Sequence, residues 1–149
     1  MANCTFFGRR DSPNEIESIL KMKIAELIEK ENVDMFYVGN NGNFDRMVLK
    51  SLKALKEKYT HIKFWVILAY IPKKRTQEEY ELTIIPELVE RVPYKYAILE
   101  RNNWMISKSD FVIGYSDGMG KSSDFLKLAK KKGLIVINIA KKNQVSGGC

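Results

Sequence analysis

Cys4-Thr5-Phe6-Phe7-Gly8-Arg9-Arg10-Asp11-Ser12-Pro13-Asn14-Glu15 is the stretch that decides the fold. Its apolar run, Cys4 to Phe7, reads as a short buried strand that stops at Gly8. Ser12-Pro13-Asn14-Glu15 then reads as a capping box, with serine at the N-cap, proline at the first helical position and glutamate three residues on. The helix expected to follow carries Ile16, Ile19, Leu20, Ile24, Leu27 and Ile28, an apolar stripe at the helical period. Strand, loop and capped helix in direct succession open a βαβ unit.

The alternation continues outward from there. Met35 to Val38 reads as a buried strand ending at Gly39, Asn40-Asn41-Gly42-Asn43 as a turn-rich loop, and the next segment as a helix with Phe44, Met47, Val48, Leu52, Leu55 and Tyr59 inward. Ile62 to Tyr70 is almost wholly apolar, as a strand inside a parallel sheet should be. Pro72 closes it, and Lys73 to Glu79 reads as a polar loop. Glu79 to Glu90 is expected to be helical, with Pro86 as a break or a new start. Arg101 to Ser109 reads as a short helix, Phe111 to Tyr115 as a strand, Ser116 to Lys121 as a glycine-containing turn, Ser122 to Lys132 as a helix stopped by Gly133, and Leu134 to Ile139 as the last strand. The expectation is an α/β fold: a Rossmann-like three-layer sandwich with a parallel five-stranded sheet in the order 3-2-1-4-5 and helices on both faces. One domain over residues 1–140 and a frayed tail over 141–149 complete the reading.

Composition narrows the class. A chain of 149 residues, 45% hydrophobic and 29% charged, suits one ordinary core rather than a disordered segment. No run approaches the roughly 20 apolar residues of a membrane span. No basic segment precedes the first apolar stretch, as a signal peptide would require. Cys4 and Cys149 supply neither a disulfide framework nor a zinc site, so a reducing, cytoplasmic setting is expected. The net charge of +7 resides largely in Lys53, Lys56 and Lys58, Lys73-Lys74-Arg75, Lys127, Lys130-Lys131-Lys132 and Lys141-Lys142. These runs read as solvated surface. They lack the aromatic platforms or reading helix that nucleic-acid binding needs, so nucleic acid is not the expected partner. His61 is the sole histidine and cannot build a multi-histidine metal site. No metal and no cofactor are expected.

An open parallel sheet binds ligands beyond the carboxyl ends of its strands, at the point where the strand order reverses. The loops after the first, second and fourth expected strands would meet there. Gly8-Arg9-Arg10 combines a helix start with two guanidinium groups and suits phosphate. Gly39-Asn40-Asn41-Gly42 lets backbone approach a ligand closely and offers amides, with Phe44 just inside the helix. Asp45 and Arg46 read there as helix-capping decoration. Tyr115-Ser116-Asp117-Gly118-Met119-Gly120-Lys121-Ser122 reads as a second anion cradle. It is not a P-loop, because the first glycine of that motif would have to stand where Tyr115 does.

Several of these pieces resemble one known group. Cys4-Thr5-Phe6-Phe7-Gly8-Arg9-Arg10, Val38-Gly39-Asn40-Asn41-Gly42-Asn43-Phe44-Asp45, Glu100-Arg101-Asn102-Asn103-Trp104-Met105 and Ser109-Asp110-Phe111-Val112-Ile113 are similar to the superfamily that unites the DNA-processing protein Smf/DprA with the Lonely Guy phosphoribohydrolases (SLOG), in its small bacterial and phage branch. Lonely Guy enzymes carry R-K-x-x-M and P-G-G-x-G-T-x-x-E elements. Arg101 and Met105 match the first, with Asn102 in place of lysine. Gly118, Gly120 and Asp124 match the second, with Ser116, Asp117 and Lys121 at substituted positions and Asp124 one methylene shorter than glutamate.

The resemblance implies a binder of a small phosphate-bearing nucleotide derivative (a nucleoside monophosphate, or an ADP-ribose-like or cyclic nucleotide signal) that senses or sequesters it, as in phage–bacteria conflict systems. Tyr70, Tyr94, Tyr115 and Trp104 are candidate stacking residues. The alternative is cleavage of a base–ribose bond, with Glu100 and Asp124 as carboxylates and Arg101 gripping phosphate. A second alternative is single-stranded DNA binding, as in the Smf branch. A homo-oligomer is expected, with the Glu79 to Glu90 helix as its interface.

Overall fold

The computed structural model describes residues 2–70 and 83–141. Their elements run β1 (Ala2–Gly8), a 3-10 turn (Asn14–Ile16), α1 (Glu17–Lys30), β2 (Val33–Val38), α2 (Gly42–Lys58), β3 (Lys63–Ile67), β4 (Thr83–Ile84), α3 (Glu87–Arg91), a 3-10 turn (Tyr94–Tyr96), α4 (Ala97–Ser107), β5 (Phe111–Tyr115), α5 (Gly120–Lys131), β6 (Ile135–Asn138) and a closing 3-10 turn (Ile139–Lys141). The strands form one sheet in the order β4-β3-β2-β1-β5-β6. Every neighbouring pair is parallel, so all carboxyl ends point to one rim.

Successive residues of a strand face opposite sides of the sheet, and this alternation builds two cores. Cys4, Phe6, Phe36, Val38, Phe64 and Ile113 pack with Leu20, Ile24, Met47 and Leu52 of α1 and α2. Phe7, Ile67 and Val112 pack with Met105 and Ile106 of α4 and Leu126 and Ala129 of α5, and Tyr37, Trp65 and Val136 join them. The periodic apolar stripes seen in sequence are the stripes that fill these layers. Cys4 lies inside the first core, where burial pushes its thiol pKa up.

Three expectations need correction. The sheet has six strands, not five, because β4 pairs with β3 through Val66–Thr83 and Ile67–Ile84. A two-residue edge strand leaves no periodic trace. The helix expected over Glu79 to Glu90 is displaced: Thr83–Ile84 is strand, and helix begins only at Glu87, with Pro86 at its N-cap. Residues 79–82 of that expected helix lie outside the described residues, as do the loop expected over Lys73 to Glu79 and the tail over 142–149. The capping box is not made either. Ser12 donates its hydroxyl to the Arg9 carbonyl at 2.6 Å, and the chain passes through a 3-10 turn before α1 starts at Glu17.

Candidate functional site

The turns after β1, β2 and β5 meet at the carboxyl rim. The first two are zipped together. Asn43 donates its backbone N–H to the Arg10 carbonyl at 2.8 Å and its side-chain amide to the Ser12 carbonyl at 2.7 Å. Gly42 has φ +92° and lies so close that a Cβ would stand 2.6 Å from the Arg10 Cα. Gly8 is bare for a similar reason, since a Cβ there would run into the Phe44 ring. Arg9 joins the first turn to the third: its guanidinium meets Asp11 at 3.1 Å and Asp117 at 2.8 Å. Its charge is thus engaged by carboxylates at the surface.

A cavity of about 200 Å³ opens beside these turns, beyond β1 and between α4 and α5. Gly8 and Arg10 line it from the first turn, Asn41 and Asp45 from the second, Ile98, Arg101, Asn102 and Met105 from α4, and Lys121, Ser122 and Phe125 from α5. The start of α5 thus reaches the cavity, and its N-cap residue Met119 provides no side-chain cap. Unsatisfied amides and the helix dipole make such an end favourable to anions. The start of α1, the first of the two anion cradles expected from the sequence, does not line the cavity, whereas the start of α5 does.

Arg101 is the most buried of the polar side chains there, only 3% exposed. Its Nε donates to Asn102 Oδ1 at 2.7 Å, and its Nη1 donates to the Ile67 carbonyl at 3.1 Å and to Asn40 Oδ1 at 3.4 Å. These bonds tie α4 to the ends of β3 and β2. Burial lowers the Arg101 pKa, and the nearby Asp45 carboxylate partly offsets that. An arginine still titrates far above neutrality, so the cavity wall carries a fixed positive charge.

Asp45 is the carboxylate of the cavity. Its Oδ2 accepts the Asn41 N–H at 2.9 Å. Desolvation pushes its pKa up to about 6, against the Asn41 hydrogen bond and the charges of Arg101 and Arg10. The residue as a whole is partly exposed, because it lines the cavity, yet surrounding protein atoms remove water from the carboxyl itself. A carboxyl with this pKa exchanges its proton near neutral pH.

The structure therefore divides the residues singled out in sequence. Gly8, Arg10, Asn41, Arg101, Lys121 and Ser122 line the cavity. Gly39, Asn40, Gly42 and Phe44 support it from behind. Ser116 and Gly118 line a different depression, a trough of about 870 Å³ along β6. The trough is larger, but of the three converging turns only the one after β5 reaches it. Met119 is 77% exposed, and Gly120 has φ +88° with open space around it. Glu100 is partly exposed and Asp124 exposed, and neither lines the cavity. Tyr37 meets Trp104 edge-on at 5.3 Å inside the second core, and Tyr70 stacks on Tyr94 at 4.1 Å. Tyr115 packs against the first core. None of the four aromatic candidates lines the cavity. Asp45, Ile98, Asn102 and Phe125 line the cavity without having been assigned to the site from sequence. The signal for Asp45 was its place three residues after Gly42, where the start of a helix turns it back toward the rim.

Comparison with protein-family models and with curated proteins found no match for this chain. Among the described residues no helix is long and apolar enough to cross a membrane, and no three His, Cys, Asp or Glu side chains gather as a metal site would need.

Proposed function

We propose that this protein binds a small phosphate-bearing nucleotide derivative in the cavity at the carboxyl rim, as a sensor or sequestering protein. The observation that carries this reading is the buried Arg101 guanidinium, which faces the same cavity as Arg10, Lys121 and the uncapped start of α5. Three cationic side chains face one carboxylate there, so the field favours an anion. At about 200 Å³ the cavity is smaller than the roughly 300–1,000 Å³ of sites that enclose drug-sized ligands. It fits a phosphate with its sugar, and leaves a base at the mouth. Native mass spectrometry of freshly purified protein tests this reading. A retained mass increment of nucleotide size, absent from Arg101→Ala, is expected. Bare protein that also takes up no added nucleoside monophosphate defeats it.

The alternative reading, cleavage of a base–ribose bond, is favoured by one observation: a carboxyl that titrates near neutral pH lines the cavity. That carboxyl is Asp45, where the sequence offered Glu100 and Asp124 as candidates. Chromatographic release of free base from a nucleoside monophosphate, abolished in Asp45→Asn while binding persists, separates turnover from retention.

A further inference from the structure

β6 closes the sheet on the side opposite β4, and no described strand covers its outer edge. Edge strands are ordinarily protected by charges, proline, bulges or a covering element. Ile135-Val136-Ile137-Asn138 carries none of the first three: it pairs in unbroken register with Phe111 to Gly114. Ile135 is 58% exposed, and Met22 on the neighbouring α1 is 49% exposed. The trough of about 870 Å³ follows this edge, with Ile19, Met22 and Lys23 of α1 forming one wall and Leu126, Lys127 and Lys130 of α5 the other.

Among the described residues the outward backbone of the edge has no strand partner. Ile135 donates its N–H to the Asp110 carbonyl at 3.0 Å, toward β5. In a parallel strand the next residue turns both its N–H and its C=O the other way. Val136 therefore presents its pair to the trough. Among the described residues no aspartate or glutamate lines the depression. Lys23 meets Glu26 at 3.5 Å, whereas Lys127 and Lys130 form no ion pair with a described residue.

We propose that the β6 edge takes up an extended acidic segment of a partner protein, which joins the sheet as one more parallel or antiparallel strand. Its alternate side chains fall to the two helical walls, apolar groups against Ile19 and Met22 of α1 and carboxylates against Lys127 and Lys130 of α5. Main-chain bonds to the edge supply affinity in such strand addition, and side-chain pockets supply specificity. Charge sets the choice of occupant. A second copy of this chain would bring the same lysines to the seam, with no lining carboxylate to offset them. Residues 142–149 of this chain contain no aspartate or glutamate either.

Fluorescence anisotropy with short labelled peptides tests the proposal on the full chain. The probes are alternating valine and glutamate, alternating valine and lysine, and the first sequence with its central valine replaced by proline. The glutamate peptide should bind at least about tenfold more tightly than the other two, a difference of about 1.4 kcal/mol. Val136→Pro removes the outward N–H without touching the ladder to β5 and should weaken the glutamate peptide to the level of its proline control. The Lys127→Glu/Lys130→Glu variant changes only exposed side chains and should invert the preference toward the lysine peptide. This inversion carries the test even where Val136→Pro proves unfolded by circular dichroism. Equal binding of all three peptides, or a preference unmoved by the charge reversal, overturns the proposal. So does sedimentation showing a dimer that Ile135→Lys dissociates, which would give the edge to a second copy.

Discussion

Asp45 Oδ2 and Arg101 Nη1 converge on Gly39, each 2.9 Å from the point where a Cβ of residue 39 would lie. Opposite charges thus share the space that a side chain at residue 39 would fill, and both line the cavity. The reason lies in their other bonds. Arg101 is oriented by Asn102, Ile67 and Asn40, and Asp45 by the Asn41 N–H. Those bonds hold the two side chains in place, and among the described residues they do not close into an ion pair with each other.

Gly39→Ala would insert a methyl group into this gap. Overpacking of a fitted interior costs about 1–3 kcal/mol, and here the atoms that must yield are the cavity's own charged groups. Chemical denaturation should show that loss, and calorimetric titration with sulfate should show a weakened or absent anion site. Full stability with unchanged sulfate affinity would mean that the bareness of Gly39 does not set the placement of Asp45 and Arg101.

Asp45→Asn carries a pH signature. The folded carboxyl holds its proton up to about pH 6, while the ordinary aspartate value is 3.8. A raised carboxyl pKa means that the ionised form is disfavoured by folding, so the native state is penalised above pH 6 and the penalty disappears as pH falls below 3.8. The asparagine of the variant keeps an acceptor for the Asn41 N–H without the charge. Urea unfolding should therefore find the variant more stable at pH 8, by on the order of 1–2 kcal/mol, with the gain fading between pH 6 and pH 4. Sulfate does not titrate in that window. Its affinity for the unsubstituted protein should rise as pH falls through 6, where Asp45 loses its charge beside Arg10 and Arg101, and the variant should show no such rise.

The fold was legible because its information is periodic. Alternating apolar strands and striped helices specify a parallel sheet with packed faces, and Phe111–Tyr115 appears where the pattern placed it. What the pattern misjudged was held by long-range pairing. β4 is strand because it lies against Val66 and Ile67, a cause absent from its own two residues. Ser12 looked like a cap and instead donates to the Arg9 carbonyl. In the site, Arg10, Asn41, Arg101 and Lys121 were visible as glycine-turn and arginine chemistry. Asp45 was not, since an acidic residue in the first turn of a helix has a sufficient local explanation. The open edge of β6 depends on strand order and could not be read along the chain.

Arg9 and Arg10 are adjacent, yet their substitution should have opposite consequences. Arg9 is held at the surface by Asp11 and Asp117, and such exposed pairs contribute little, about 0–1 kcal/mol. Arg9→Ala should leave the melting temperature and sulfate affinity nearly unchanged. Arg10 lines the cavity, and the loss of one charge-assisted hydrogen bond to an anion is worth about tenfold in affinity. Arg10→Ala should weaken sulfate by about that factor with little change in melting temperature. Equal effects of the two substitutions would show that the cavity does not discriminate between them.

Arg101→Ala should be the most damaging single change in the site. It leaves the Ile67 carbonyl and the Asn102 side chain without their partner, and breaking a buried charged network costs about 3–5 kcal/mol. Arg101→Lys retains charge but not the forked donors, so it should recover part of the stability in a denaturation series and little of the anion affinity. Full recovery of sulfate binding by lysine would reduce the role of Arg101 to charge alone.

Amide chemical-shift mapping during titration with a nucleoside monophosphate tests the binding cavity most directly. The largest shifts should fall on Gly8, Arg10, Asn41, Lys121 and Ser122, together with the Arg101 side-chain N–H signals, and should vanish in Arg101→Ala protein that remains folded. Shifts confined to Ser116, Gly118 and the β6 trough, or no shifts at millimolar nucleotide, would contradict it.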